Sequence, residues 1–354
     1  ALNTIVDEMA LTIYRTAYSG VLKDVMDYST AFCDGQGRMV AQGLTLPSHL
    51  GSMPDALAAV RARYGDAVRP GDIFCLNDPY EGGMHLPDIF IIAPIFDQSA
   101  PGGAGDGSIL AWSTTVCHHT DVGGRVAGSN ASDSTEIYQE GLRIPPVLLY
   151  RRGAPNRTLF RLIEKNVRVP DKVFGDLNAQ IAACRLGEAR FLELVAAYSE
   201  GQLERYLEEL LDYSERRMRT ALEALPDGVR GAADVLEARE GDLILRLRAE
   251  VRGDRLILDF AGSAPQHEGN LNCPLAVTRS ACYFAVRVLT DPDIPPTAGA
   301  YRPVEVRAPE GCLLNARPPA AVAGGNVETS SRVADLVLAA FGRARGQGTM
   351  NNVT

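Results

Sequence analysis

No stretch of this 354-residue chain is apolar over anything near the roughly 18 residues that a membrane-spanning helix needs, so no span is expected. The first residues, Ala1-Leu-Asn-Thr-Ile-Val-Asp-Glu8, lack a basic segment followed by an apolar one, and no signal peptide is expected there. Positive charge is also short. The 35 Lys and Arg against 44 Asp and Glu leave a formal charge of −9, which argues against the basic face of a nucleic-acid binder. Seven cysteines (33, 75, 117, 184, 273, 282, 312) occur without a single CxxC pair. An odd number of scattered thiols in a chain of this length reads as reduced cysteine in a cytoplasmic protein. Nucleotide and serine-hydrolase signatures are missing as well. The pairs Gly102-Gly103, Gly123-Gly124 and Gly324-Gly325 do not take the form GxxxxGK[ST], and no GxSxG occurs, so neither ATP binding by this chain nor a serine nucleophile is expected.

What is present is ordinary globular material, 46% hydrophobic and 22% charged, in a chain long enough for more than one subregion. Leu2, Ile5, Val6, Met9, Ile13 and Tyr14 recur at helical spacing, predicting a helix over 1–18. Two strands are expected around the turn Asp34-Gly-Gln-Gly37, a helix over Pro54–Tyr64, and short buried strands at Gly71–Leu76, Ile89–Phe96 and Ile109–Cys117. Asp97–Ser108 reads as an exposed Gly-rich hairpin loop, and 171–225 as helical with a stripe of leucines. From 232 the period changes to two. Leu243, Leu245, Leu247, Ala249 and Val251 alternate with polar residues and turn through Arg252-Gly-Asp-Arg255 into Leu256–Phe260, a hairpin with one buried face. Helices are expected again at Ala281–Thr290 and Val333–Phe341. The fold class is α+β, with mixed, largely antiparallel sheets. Its expected divisions are a metal-site region over 1–170, a helical segment over 171–230 and an α+β region over 231–354.

Histidine is scarce, at five residues, yet three of the five fall in His85-Leu-Pro-Asp88 and His118-His119-Thr-Asp121. Imidazole nitrogen and carboxylate oxygen together suit a divalent ion such as zinc or manganese. His85 and Asp88 precede one strand and His118 follows the next, so an antiparallel hairpin would bring the two segments to one end. Asp27, at the head of a strand, is a further candidate. A metal held there can polarise a carbonyl or activate water. His119 and Asp121 are candidates for orienting a ligand or for acid–base work. Against this stands the reading in which these histidines are structural and the aspartates form turns, since no motif as sharp as HExxH is present.

Several longer segments carry a resemblance. Asn77-Asp-Pro-Tyr-Glu-Gly-Gly-Met-His-Leu-Pro-Asp88, His118-His-Thr-Asp-Val-Gly-Gly124, Ser134-Thr-Glu-Ile-Tyr-Gln-Glu-Gly-Leu-Arg-Ile-Pro-Pro146 and Asp176-Leu-Asn-Ala-Gln-Ile-Ala-Ala-Cys-Arg185 resemble the hydantoinase B/oxoprolinase family. So do Gly269-Asn-Leu-Asn-Cys-Pro274, Asp291-Pro-Asp-Ile-Pro295 and Gly348-Thr-Met-Asn-Asn352. The resemblance implies the metal-bearing B subunit of an ATP-dependent cyclic-amide hydrolase, of the N-methylhydantoinase, 5-oxoprolinase or caprolactamase type. The alternative it implies is a subunit of an acetone- or acetophenone-type carboxylase. ATP would be used by a partner hydantoinase A-type ATPase, which activates the substrate, within a hetero-oligomer containing a dimer of this chain. Carried onto this sequence, the metal ligands are Asp27, His85, Asp88 and His118, the last on allowing 97–108 as an insertion. His119 and Asp121 would handle protons. Family members also begin earlier and run further, so the chain is expected to be part of a longer one.

Overall fold

The computed structural model describes residues 1–43, 46, 49–97, 107–198, 200–239 and 241–346. Most of the loop expected over 97–108 therefore lies outside the described residues. The chain divides into two compact units, 1–129 with 141–210, and 130–140 with 211–354. The architecture is α+β, as its patterning indicates.

The first unit is built on a seven-stranded sheet. Its strands are β1 (Tyr28–Asp34), β2 (Met39–Gln42), β3 (Ile73–Leu76), β4 (Asp88–Phe96), β5 (Ile109–His118), β6 (Val147–Arg151) and the two-residue β7 (Ala154–Pro155). They are ordered β2-β1-β5-β4-β3-β6-β7, and each neighbouring pair is antiparallel. Helices cover both faces, so β4 is buried along its whole length and reads as a continuous apolar run instead of an alternating one. One face takes α1 (Leu2–Thr16) and α4 (Pro170–Tyr198). There the Ser113 hydroxyl meets Met9 Sδ at 3.9 Å, and Thr115 Oγ1 meets Cys184 Sγ at 3.8 Å. Gly187 lets α4 lie close: a Cβ there would stand 2.7 Å from both Met9 Sδ and Ser113 Oγ. The other face carries α2 (Ser52–Tyr64), where Thr114 Oγ1 lies 3.4 Å from Met53 Sδ. Helix α2 starts two residues before Pro54. Proline is tolerated there because first-turn N–H groups have no partner within the helix. A helix that the periodicity did not single out, α3 (Arg157–Asn166), is capped by Asn156, whose Oδ1 accepts from Leu159 N at 3.2 Å.

Helix α5 (Glu200–Glu223) contributes residues to both units. The second unit has a four-stranded sheet of β8 (Gly228–Ala238), β9 (Gly241–Arg252), β10 (Arg255–Asp259) and β11 (Val304–Arg307), ordered β11-β10-β9-β8. Only the β10–β11 pair is parallel. Along β9, Leu245, Leu247, Ala249 and Val251 are buried while Arg246 and Arg248 are exposed, so one face of this sheet is wet. The inner face packs with Met218 and Leu222 of α5, with α6 (Leu275–Leu289) and with α7 (Ser330–Ala340). Glu140 belongs to this unit. It is buried, and its carboxylate accepts the backbone N–H groups of Val322 and Ala323. No described helix is long and apolar enough to cross a membrane. All seven cysteines are free and buried, and burial raises the thiols of Cys75 and Cys184 to about 12.

Candidate metal centre

Three adjacent strands bring the chosen residues together. In the β4–β5 register Asp88 is the direct partner of His118, so their side chains stand on the same face. On the other side of β5, Tyr28 pairs with Cys117, and the His118 N–H donates to the Asp27 carbonyl at 3.0 Å. Asp27, His118 and Asp88 therefore lie side by side at one end of the sheet. His85 joins through the turn ahead of β4, closed by Asp88 N–H donating to the His85 carbonyl at 3.0 Å. Its Nδ1 lies 2.7 Å from Asp88 Oδ2. The opposite carboxylate oxygen is 3.4 Å from His118 Nδ1, and Asp27 Oδ2 is 3.8 Å from that same nitrogen.

His49, which the sequence left unremarked, completes the cluster. It comes from the segment just ahead of α2, and its Nε2 stands 4.0 Å from Asp27 Oδ1. Its Nδ1 meets Ser29 Oγ at 2.9 Å, and that hydroxyl faces the Leu46 carbonyl at 3.4 Å. If the hydroxyl hydrogen goes to the carbonyl, Ser29 accepts from Nδ1–H, and the Nε2 lone pair faces the carboxylates. The atoms that could ligate an ion form two overlapping trios, His85–Asp88–His118 and Asp27–His49–Asp88, each within 4.8 Å. A tetrahedral ion at roughly 2.0–2.2 Å sets its donors about 3.3–3.6 Å apart. The 3.4 Å between Asp88 and His118 matches that spacing, and the 3.8 and 4.0 Å separations at Asp27 are a few tenths of an ångström wider.

Electrostatics follow from burial. Burial alone would raise the Asp88 carboxyl, but His85, His118 and His49 reverse this and hold it far below the usual range. Burial lowers His118, yet its hydrogen bond to Asp88 and the nearby Asp27 charge leave it above 6.5. His49 is lowered, chiefly by burial. The side chains of His85, Asp88 and His49 are at most 2% exposed, whereas Asp27 and His118 are each 24% exposed. The cluster therefore opens to solvent on its Asp27–His118 side.

His119 and Asp121 stand apart from this group. Successive strand residues point to opposite faces, so the His119 ring turns towards α4. Its Nε2 lies 3.0 Å from Gln180 Oε1, while Gln180 Nε2 donates to the Ile89 carbonyl at 2.9 Å. That fixes the amide orientation and places the His119 proton on Nε2; the ring is fully buried, which lowers its pKa. Asp121 holds the following loop. It accepts from Gly123 N, Gly128 N and Arg168 N, and pairs with Arg168 Nη1 at 2.9 Å. Burial pushes its carboxyl up, but these hydrogen bonds outweigh it and leave the group below its usual range.

Residues 1–354 match the family described as Hydantoinase B/oxoprolinase. The chain belongs to the hydantoinase B/oxoprolinase family. It is 34% identical over 348 residues to caprolactamase subunit beta of Pseudomonas jessenii, covering 97% of this chain and 58% of that subunit. The crystal structure of the ATP-dependent caprolactamase from the same organism superposes with a TM-score of 0.88, again at 34% identity, over 96% of this chain and 58% of that one. The 5-oxoprolinase 1 of Arabidopsis thaliana is 32% identical over 376 residues, 99% of this chain and 29% of that protein. A nucleotide-free acetone carboxylase structure matches with a TM-score of 0.86 over 96% of this chain and 46% of that one, at 19% identity, a likeness of fold. This chain spans about 60% of the length of the first relatives it matches.

Proposed function

We propose that this chain is the metal-bearing B subunit of an ATP-dependent cyclic-amide hydrolase, completing the opening of a ring that a partner ATPase subunit has activated. The observation that carries this reading is the convergence of Asp27, His85, Asp88 and His118 at one sheet end, in a chain 34% identical to a caprolactamase beta subunit. The residues fit a divalent ion. Two imidazoles and two carboxylates supply mixed nitrogen and oxygen donors, and the two carboxylate charges neutralise a dication. Zinc and manganese both suit such a set. When bound, the ion supplies Lewis-acid polarisation of the scissile amide carbonyl.

The chain's own residues do the rest. Asp88 holds two histidine rings at once, through Oδ2 to His85 and Oδ1 to His118, and so fixes their orientation. His49 is a fifth donor or the group that orients Asp27. Substrate approaches on the Asp27–His118 side, where the cluster is open. We assign His119 and Asp121 to support: through Gln180 and Arg168 they lock the exit of β5, and with it the position of His118. ATP chemistry falls to a hydantoinase A-type partner, and a dimer of this chain within the hetero-oligomer, in the cytoplasm, completes the proposal.

The test is reconstitution with the A-type ATPase and assay of ring opening on 5-oxoproline, hydantoin and caprolactam. ATP-dependent hydrolysis that Asp88→Ala abolishes is the expected result. Bicarbonate-dependent consumption of a ketone would instead assign a carboxylase. A protein that binds no metal by elemental analysis, and is indifferent to His85→Ala and Asp88→Ala, would remove both readings.

A further inference from the structure

The solvent face of the second unit's sheet carries a feature that the metal centre does not use. Strand β8 spans 11 residues, and among the described residues it is paired on one side only, with β9. Its outward positions read Val229, Gly231, Ala233, Val235 and, at the far end from Val229, Glu237, with Val229 55% and Val235 40% exposed. Across the ladder Gly231 faces Arg248 and Ala233 faces Arg246. These four residues, with Ala232, Leu247 and Ala261, line a shallow groove of about 470 Å³.

The glycine has no packing reason. Gly231 is not among the residues with positive φ, and a Cβ built on it would find nothing closer than the Leu247 carbonyl at 3.9 Å. Glycine inside a strand weakens it and marks places where another backbone comes close. The arginines point the same way. Arg246 has no ion pair among the described residues, while Arg248 donates to Glu250 at 2.6 Å and keeps half of its side chain exposed.

We propose that β8 receives an extended acidic segment of a partner polypeptide as a fifth strand, with its carboxylates over Arg246 and Arg248. An added strand would lie two inter-strand spacings, about 10 Å, from β9. An arginine and a glutamate reaching towards each other close that distance only if the intervening strand carries little side chain, as at Gly231 and Ala233. Val229 and Val235 then offer cross-strand apolar contacts on either side. Main-chain hydrogen bonds give affinity and the alternate side chains give selectivity, as in other strand-addition complexes.

The probe is a fluorescein-labelled nonapeptide, Ser-Val-Thr-Glu-Thr-Glu-Thr-Val-Ser, which reads alike in both directions, titrated against the purified chain by fluorescence anisotropy. It is expected to bind and to weaken with added salt. Arg246→Ala should reduce affinity about tenfold or more. Gly231→Trp should abolish binding without lowering the melting temperature, since the position has room and tryptophan favours strands. Peptides with lysine in place of glutamate, or proline at the centre, should not bind. Failure of the acidic peptide to bind at millimolar concentration overturns the proposal. Equal binding of the lysine or proline peptide, or undiminished binding to Gly231→Trp, does so too. A dimer of this chain that Gly231→Trp dissociates would overturn it in favour of self-association through β8.

Discussion

The sharpest test of the metal centre is Asp88→Asn. The substitution keeps shape and volume and removes one charge at a position that is 1% exposed. Both carboxylate oxygens are engaged, at 2.7 Å to His85 and 3.4 Å to His118. At an effective dielectric of 20, a charge pair 3.4 Å apart is worth about 5 kcal/mol before desolvation is subtracted. Asparagine keeps one acceptor, so the net loss in the metal-free protein should be near that of one charged hydrogen bond, about 1.5–3 kcal/mol. Metal affinity should fall further. Altering a group that only orients a ligand costs roughly 10–100-fold, so losing a ligand and its charge should cost about 100-fold or more, about 2.7 kcal/mol. The assay is competition for zinc with a chromophoric chelator, alongside urea unfolding. Asp121→Asn is the comparison: its carboxylate holds Arg168 and a loop and offers no donor to the cluster, so it should lower stability and cost about tenfold in zinc affinity at most, less than Asp88→Asn. If Asp88→Asn and Asp27→Asn both bind zinc as the parent does, these carboxylates hold no ion.

Three further outcomes are expected. Because His118 is held above 6.5, loading the metal must displace its proton; zinc affinity should drop about tenfold per unit as pH falls below that raised value, measurable from pH 8 to 6. Burial raises Glu140 from 4.5 to about 7, so the folded state binds an extra proton between those values. The contribution of Glu140 to stability is then greatest below about pH 4.5 and declines by about 3 kcal/mol as pH rises to about 7. Urea titrations of Glu140→Gln should show a flatter profile, and an unchanged slope would refute the assignment. Gly187→Ala places a methyl 2.7 Å from Met9 and Ser113 and should cost about 1–3 kcal/mol by overpacking, read as a lowered melting temperature.

The hairpin that builds the centre was legible from the sequence because β4 and β5 are short apolar runs with the His and Asp segments at matching ends. Their register then puts Asp88 opposite His118 without further help. Asp27 was marked only by its place at a strand head, a weak signal for one aspartate, and the family resemblance is what made it a ligand. His49 was invisible for a related reason. It reaches the cluster only because the chain returns before α2, and a lone histidine carries no spacing signal; the nearby helix start at Ser52 is the only local hint of where its ring sits. Strand β8 escaped notice because Gly231, Ala232 and Ala233 blur its alternation, and β11 because its pairing is parallel, four residues long and distant in sequence.

The seven buried cysteines turn the protein into its own stopwatch. With no thiol at the surface, alkylation must wait for the structure to open, so its rate under native conditions reports local and global opening without any added probe. Cys33, Cys75, Cys117 and Cys184 lie in the first unit, with the candidate metal centre, and Cys273, Cys282 and Cys312 in the second. Mass spectrometry of which cysteine is capped first would time the opening of each unit separately, and adding or chelating zinc should slow or hasten the first four alone.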